Sequence, residues 1–146
     1  MRRLNHSLLD PGALAEHLNT TSWVEINFAE TQLYHLGQNL PNAVIVDALV
    51  GAYPLVRTWQ GRKFIVYSLM RYTRKHDKAY ETAILALSDR SAAVVADACV
   101  AIGTSTRNDG LRHLRPLLEH KKPDVQYAAR AAIDELMSKK RRRWLW

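Results

Sequence analysis

The densest chemistry in this 146-residue chain is cationic and aromatic. The run Lys139-Lys140-Arg141-Arg142-Arg143-Trp144-Leu145-Trp146 sets consecutive cations beside two indoles. Cations pair with phosphates while indoles stack on bases, which suits a nucleic acid. The same residue types suit an anionic membrane surface with Trp at the interface. The plain alternative is a frayed helix end whose cations favour the negative pole of the helix. Further cations fall in two groups: Arg57, Arg62, Lys63, Arg71, Arg74, Lys75 and Lys78, then Arg107, Arg112, Arg115, Lys121 and Lys122. As separate residues they are a solvated face. As a continuous stripe they would hold a polyanion with steep salt dependence. For a protein partner with an acidic surface, the residues singled out are Arg107, Arg112, Lys121, Lys122, Tyr127 and Arg130, the cations for complementarity and the tyrosine as an anchor.

Catalytic chemistry is sparse. There is no His-Glu-x-x-His and no Cys/His spacing of a metal site, so no metal and no cofactor is expected. Cys99, on an alanine-rich segment with no base in view, reads as a packed small residue. His113 and His120 are two helical turns apart but lack a third ligand. Gly103-Thr104-Ser105-Thr106-Arg107-Asn108-Asp109-Gly110 has the look of a phosphate loop without its Gly-Lys-Ser/Thr ending. The chain therefore reads as non-enzymatic.

The bulk properties fit one globular domain over residues 1–146, large enough to fold without disulfides or metal. A lone cysteine fits a reducing compartment. No apolar run reaches the length of a membrane span, and Asp10, Pro11, Glu16 and His17 interrupt any signal-like core behind Arg2 and Arg3. A soluble cytoplasmic protein is expected. The net charge of +7 is unevenly spread. No Lys or Arg lies between Leu4 and Val56, whereas Asp10, Glu16, Glu25, Glu30 and Asp47 do. An acidic first third is joined to a basic remainder, an asymmetry that points to a negatively charged partner, protein or nucleic acid.

The elements that must carry these residues are helical. Asp10-Pro11 opens a helix to about Leu18. Ser22 and Glu25 have capping-box spacing, but Val24, Ile26 and Phe28 alternate, so either a helix or an extended start fits there. A helix from Phe28 is stopped by Gly37. Further helices are expected from Asn42 to Ala52, from Arg62 after a break at Gly61 to Arg74, and from Asp77 to Leu87. Three more follow: Ser91 to Ile102 with Gly103 at its end, Asn108-Asp109 to Glu119, and Pro123 to about Lys139. No strand pattern appears, so the class is all-α.

Two of these helix pairs share one pattern. Val94, Ala98, Ala101 and Ile102 recur as Val125, Ala129, Ala132 and Ile133, an offset of about 31 residues. Leu114, Pro116, Leu117, Leu118, Pro123, Asp124, Val125, Ala129, Ala132 and Ile133 resemble a HEAT repeat. Ala83, Leu87, Asp89, Val94, Ala98, Ala101, Ile102 and Gly103 resemble a second copy, and Phe64, Ser68 and Tyr72 a degenerate third. Cys99 departs from the pattern where Arg130 stands in the later copy. The resemblance implies a short right-handed α-solenoid of antiparallel helix pairs over 41–138, with N-terminal capping helices over 1–40 and a basic, Trp-bearing tail over 139–146. It also implies a binding scaffold: small members include bacterial immunity proteins that occlude one toxin. A nucleic-acid-binding module using the basic stripe and tail is the alternative. Other members excise DNA bases with a carboxylate and aromatics on the concave face, and Asp97 and Trp59 have those residue types. The second helices would line the inner face. Val95, Ala96, Cys99 and Gly103, like Ile65, Val66, Leu69 and Thr73, make two of them apolar nearly all round. Either the N-terminal helices cover that face or it is an open groove.

Overall fold

A computed structural model describes residues 3–144, with side chains through residue 138. Within them it is all-helical, without a strand. The α-helices are α1 (Pro11–Leu18), α2 (Trp23–Gly37), α3 (Asn42–Ala52), α4 (Trp59–Leu69), α5 (Asp77–Ala86), α6 (Ala92–Thr104), α7 (Gly110–Leu114) and α8 (Pro123–Trp144). The backbone of α8 passes the expected end near Lys139. The side chains of the 139–146 tail lie outside the described residues.

Local chemistry explains most helix starts. The Asp10 carboxylate accepts from the Ala13 amide at 2.9 Å, and Pro11 takes the first helical place of α1. Ser22 accepts from the Glu25 amide at 3.4 Å, so α2 begins at Trp23 and not at Phe28. The apparent alternation of Val24, Ile26 and Phe28 is a helical pattern: Ile26 is buried while its two neighbours are exposed. Pro116 has no amide to donate, and the chain tightens after α7 into a 3-10 segment over Arg115–Glu119, where a continuous α-helix was expected.

Two glycines expected to break helices are inside them. At Gly61, in α4, a Cβ would collide with the Leu18 carbonyl oxygen. That oxygen also accepts from the Thr58 hydroxyl at 2.8 Å, which pins the end of α1 to the start of α4. At Gly103, in α6, a Cβ would fall 2.9 Å from the Cα of Ala132. Both glycines serve close approach rather than a turn. α4 thus starts earlier than expected and ends at Leu69, followed by a 3-10 turn over Met70–Tyr72.

The helices pack in two rows. α1 lies against α3 and α3 against α5, while α4 lies against α6 and α6 against α8. α5 also packs on α6, and α2 touches α1, α3 and α4. The buried apolar residues form two cores, and α6 is the wall between them. Its Val94 and Ala98 face the first core, with Leu14, Leu49 and Leu69. Its Val95, Cys99 and Ile102 face the second, with Leu114, Ala129 and Leu136. Hence α6 is apolar nearly all round, with Asp97 and the exposed Val100 as its outer edge: α4, α5 and α8 pack on its other sides, and neither a covering N-terminal segment nor an open groove accounts for that burial. α4 does meet the N-terminal α1 and α2, together with α3 and α6. The matched repeat positions Val94 and Val125, Ala98 and Ala129, Ala101 and Ala132 are all buried.

One ionic cluster ties the turns together. Arg62 holds Asp89 through Nε at 2.8 Å and a second guanidinium nitrogen at 3.1 Å. The Tyr53 hydroxyl donates to the same carboxylate at 2.7 Å, and the Ser91 amide at 2.9 Å. Arg62 also donates to the Arg57 carbonyl at 2.7 Å. Burial alone would raise the Asp89 pKa; the hydrogen bonds from Arg62, Ser91 and Tyr53 outweigh it and hold the carboxyl below its usual range. The cluster joins the end of α3, the start of α4 and the α5–α6 turn.

Candidate interaction surfaces

Exposed aromatic and apolar side chains collect on α2 and on the row formed by α4, α6 and α8. Trp59, the first residue of α4, meets Trp23 of α2 edge to face, with ring centroids 6.1 Å apart. Both indoles are partly open to solvent, 41% and 48% exposed. One turn along α4, the Lys63 ammonium donates to the Asp97 carboxylate of α6 at 2.7 Å and bridges the two helices. The next turns expose Tyr67 on α4 and Val100 on α6, and α8 exposes Tyr127. Aromatic groups that are exposed and held on rigid helices are the residue types that anchor protein interfaces.

Between α2 and α4 the surface opens into a cleft of about 680 Å³. Leu33, Ile45, Leu49 and Phe64 form its floor, and Tyr34, Tyr67 and Tyr72 its walls. Arg71 and Glu30 stand at its rim. Trp23, Tyr34, Tyr67 and Tyr72 carry no charge and are not among the binding residues expected from the sequence. The signal for part of this surface was present: Trp59, Lys63 and Tyr67 recur every four residues, opposite buried Ile65 and Leu69.

The residues singled out from the sequence fall in two places. Arg107 is engaged within the fold. Its Nε donates to the Thr73 carbonyl at 3.0 Å, another guanidinium nitrogen lies 2.8 Å from Asp77, and the group stacks 4.7 Å from the centre of the Tyr80 ring. It clamps the turn after α6 to the start of α5. Arg112 shares a shallow cleft with it, lined also by Asp77, Glu81, Asp109 and His113. Three carboxylates beside two guanidiniums leave that cleft without a positive excess. Tyr80 lies under it, and burial, then the Asp109 carboxylate, push its hydroxyl up to about 12. The other four residues group around the start of α8. Lys121 and Lys122 are exposed in the turn before it, and Tyr127 and Arg130 are exposed on it at a spacing that shares one face.

The remaining chemical candidates are absorbed by the fold. Cys99 is fully buried, and burial pushes its thiol up to about 12, far from the thiolate needed for reactivity. In the phosphate-loop-like segment, the Ser105 hydroxyl donates to the Ile102 carbonyl and accepts from the Arg107 amide at 3.2 Å. Its Gly103 and Thr104 belong to α6, and only Thr106 is left-handed, at φ 62°. His120 accepts from the Lys122 amide at 3.0 Å, and His113 from Arg112 at 3.3 Å. Asp97 is neutralised by Lys63, one turn from Trp59.

Several cations of the sequence clusters are consumed by ion pairs: Arg62, Lys63, Lys78 with Asp47, and Arg107. Arg57, Arg71, Arg74, Arg112, Lys121 and Lys122 are exposed and have no ion pair among the described residues. No helix of the described residues is long and apolar enough to cross a membrane. Compared with known proteins, the chain matches no protein-family model, no curated protein and no solved structure.

Proposed function

We propose that this chain is a cytoplasmic, non-enzymatic binding module that grips one dedicated protein partner with an acidic surface. Its concrete form is a small bacterial immunity protein that occludes one cognate toxin. In this reading the two helix rows are a short, right-handed, HEAT-like solenoid of antiparallel pairs, capped by α1 and α2. The packing of α4 on α6 on α8 and the burial of three of the four matched repeat pairs support it, Ile133 being half-buried where Ile102 is fully buried. The observation that carries the function is the exposed set Trp59, Tyr67, Val100 and Tyr127 along one row of rigid helices. These side chains supply apolar anchors. Lys121, Lys122 and Arg130 supply the charge that steers an acidic partner. Arg112 belongs to the charged rim, and Arg107 contributes by fixing the turn behind it.

The experiment is co-expression with the product of the neighbouring reading frame. Protection from a toxic neighbour, lost on changing Tyr67 and Tyr127 to Ala, is the expected result. A neighbour that is harmless and does not bind the chain removes the immunity reading.

A second reading, nucleic-acid binding, is favoured by the unpaired cations Arg57, Arg71, Arg74, Lys121 and Lys122. A mobility-shift series in rising salt separates the two. Tight binding to DNA or RNA at low salt that falls steeply with salt supports the second reading, and its absence at low salt eliminates it.

A further inference from the structure

The cleft between α2 and α4 has features that the partner-binding face does not need. Its volume of about 680 Å³ is that of a small-molecule site, which falls in the range of roughly 300–1,000 Å³. Its floor is apolar, with Leu33, Ile45, Leu49 and Phe64 all buried beneath it. Its walls are tyrosines whose rings can cover a hydrocarbon body while their hydroxyls stay in water. Its rim has a charge pattern. Arg71, exposed and without an ion pair among the described residues, is the lone cation of the lining; Glu30, equally unpaired, is the lone anion.

We propose that this cleft binds an amphipathic monocarboxylate, with its hydrocarbon body between the exposed Tyr34 and Tyr67 rings above that floor and its carboxylate on Arg71. The planar guanidinium matches a carboxylate in two parallel hydrogen bonds, which a point-charge ammonium does not. Glu30 at the same rim repels any negative charge, and a second charge has no further cation in the lining to offset that repulsion. The rim therefore selects against dicarboxylates and against phosphate monoesters, which carry more than one charge at neutral pH. The site is already open between α2 and α4, so filling it requires no unfolding.

Calorimetric titration of the full chain at pH 7 with dodecanoate, below its micelle concentration, tests the proposal. Saturable binding at one site per chain is expected. Arg71→Gln should weaken it about ten- to a hundredfold, the loss of a hydrogen-bonded charge pair. Dodecyl phosphate and the cation dodecyltrimethylammonium should each bind at least about tenfold more weakly than dodecanoate. Ser68→Trp, whose indole occupies the cleft, should abolish binding while the circular dichroism melt stays close to that of the unchanged protein. If that variant melts early, Thr31→Trp on the exposed wall of α2 takes its place with the same expectation. The proposal is overturned by the absence of saturable dodecanoate binding, by equal affinity for the cation, or by undiminished binding to Arg71→Gln or to the cleft-filling variant.

Discussion

The seam between α6 and α8 and the seam between α2 and α4 are built from opposite residue sizes. At the first, Gly103 meets the backbone of Ala132, and Cys99, Ala128 and Ala129 are buried in the shared core. Small side chains let the two helix axes approach closely. At the second, Leu33 and Tyr34 of α2 face Phe64 and Tyr67 of α4 across an open cleft. Trp23 and Trp59 touch only at one end. The closed seam spends its residues on stability, whereas the open one keeps aromatic surface available. In a short row of helices, residue size at the seam decides which face can meet another molecule.

The largest expected effect tests the ionic cluster that ties the end of α3 and the start of α4 to the α5–α6 turn. Asp89→Ala leaves Arg62 buried and unpaired, and should cost about 3–5 kcal/mol in urea unfolding. A loss under about 1 kcal/mol would show that the cluster is incidental. At the closed seam, Gly103→Ala forces a methyl against the Ala132 backbone and should cost about 1–3 kcal/mol. Ser68→Ala at the open seam should stay within about 0.5 kcal/mol. Equal costs at the two positions would erase the distinction drawn between them.

Acid offers a smaller and reversible version of the first test. The Asp89 carboxyl is held below its unfolded value, near 3.9. Its contribution is therefore complete above about pH 4 and is lost as the pH falls through the lower folded value. Thermal melts of the unchanged protein should fall more steeply below pH 4 than those of Asp89→Asn; parallel acid limbs contradict this. Smallest of all is the expected effect on stability at the free surface. Tyr127→Ala should change the unfolding free energy by no more than about 0.5 kcal/mol, because the residue is 78% exposed. A larger cost would mean that the ring packs on its own fold and is not free for a partner.

Much of the helical order was legible because each signal was local. Asp10 with Pro11 and the small-residue stripe of α6 and α8 speak through neighbours in the chain. Gly61 and Gly103 misled because a glycine that ends a helix and one that admits a neighbouring backbone look alike until the neighbour is known. The same holds for charge. Arg107 and Arg112 read alike in sequence, yet Arg107 is spent on Thr73, Asp77 and Tyr80, about thirty residues away, whereas Arg112 keeps an exposed side chain. The aromatic wall of the cleft was hidden for a related reason: Tyr34 and Tyr67 are brought together by tertiary packing, which periodicity within one helix cannot express.

Affinity purification from the source cell, comparing the unchanged chain with Tyr127→Ala/Arg130→Ala and with Leu85→Ala on α5, tests the binding role most directly. The account predicts one protein recovered at near-equal molar amount by the unchanged chain and by Leu85→Ala, and lost by the α8 double variant. Recovery undiminished by the α8 change, or recovery of nucleic acid in place of a protein, would contradict it.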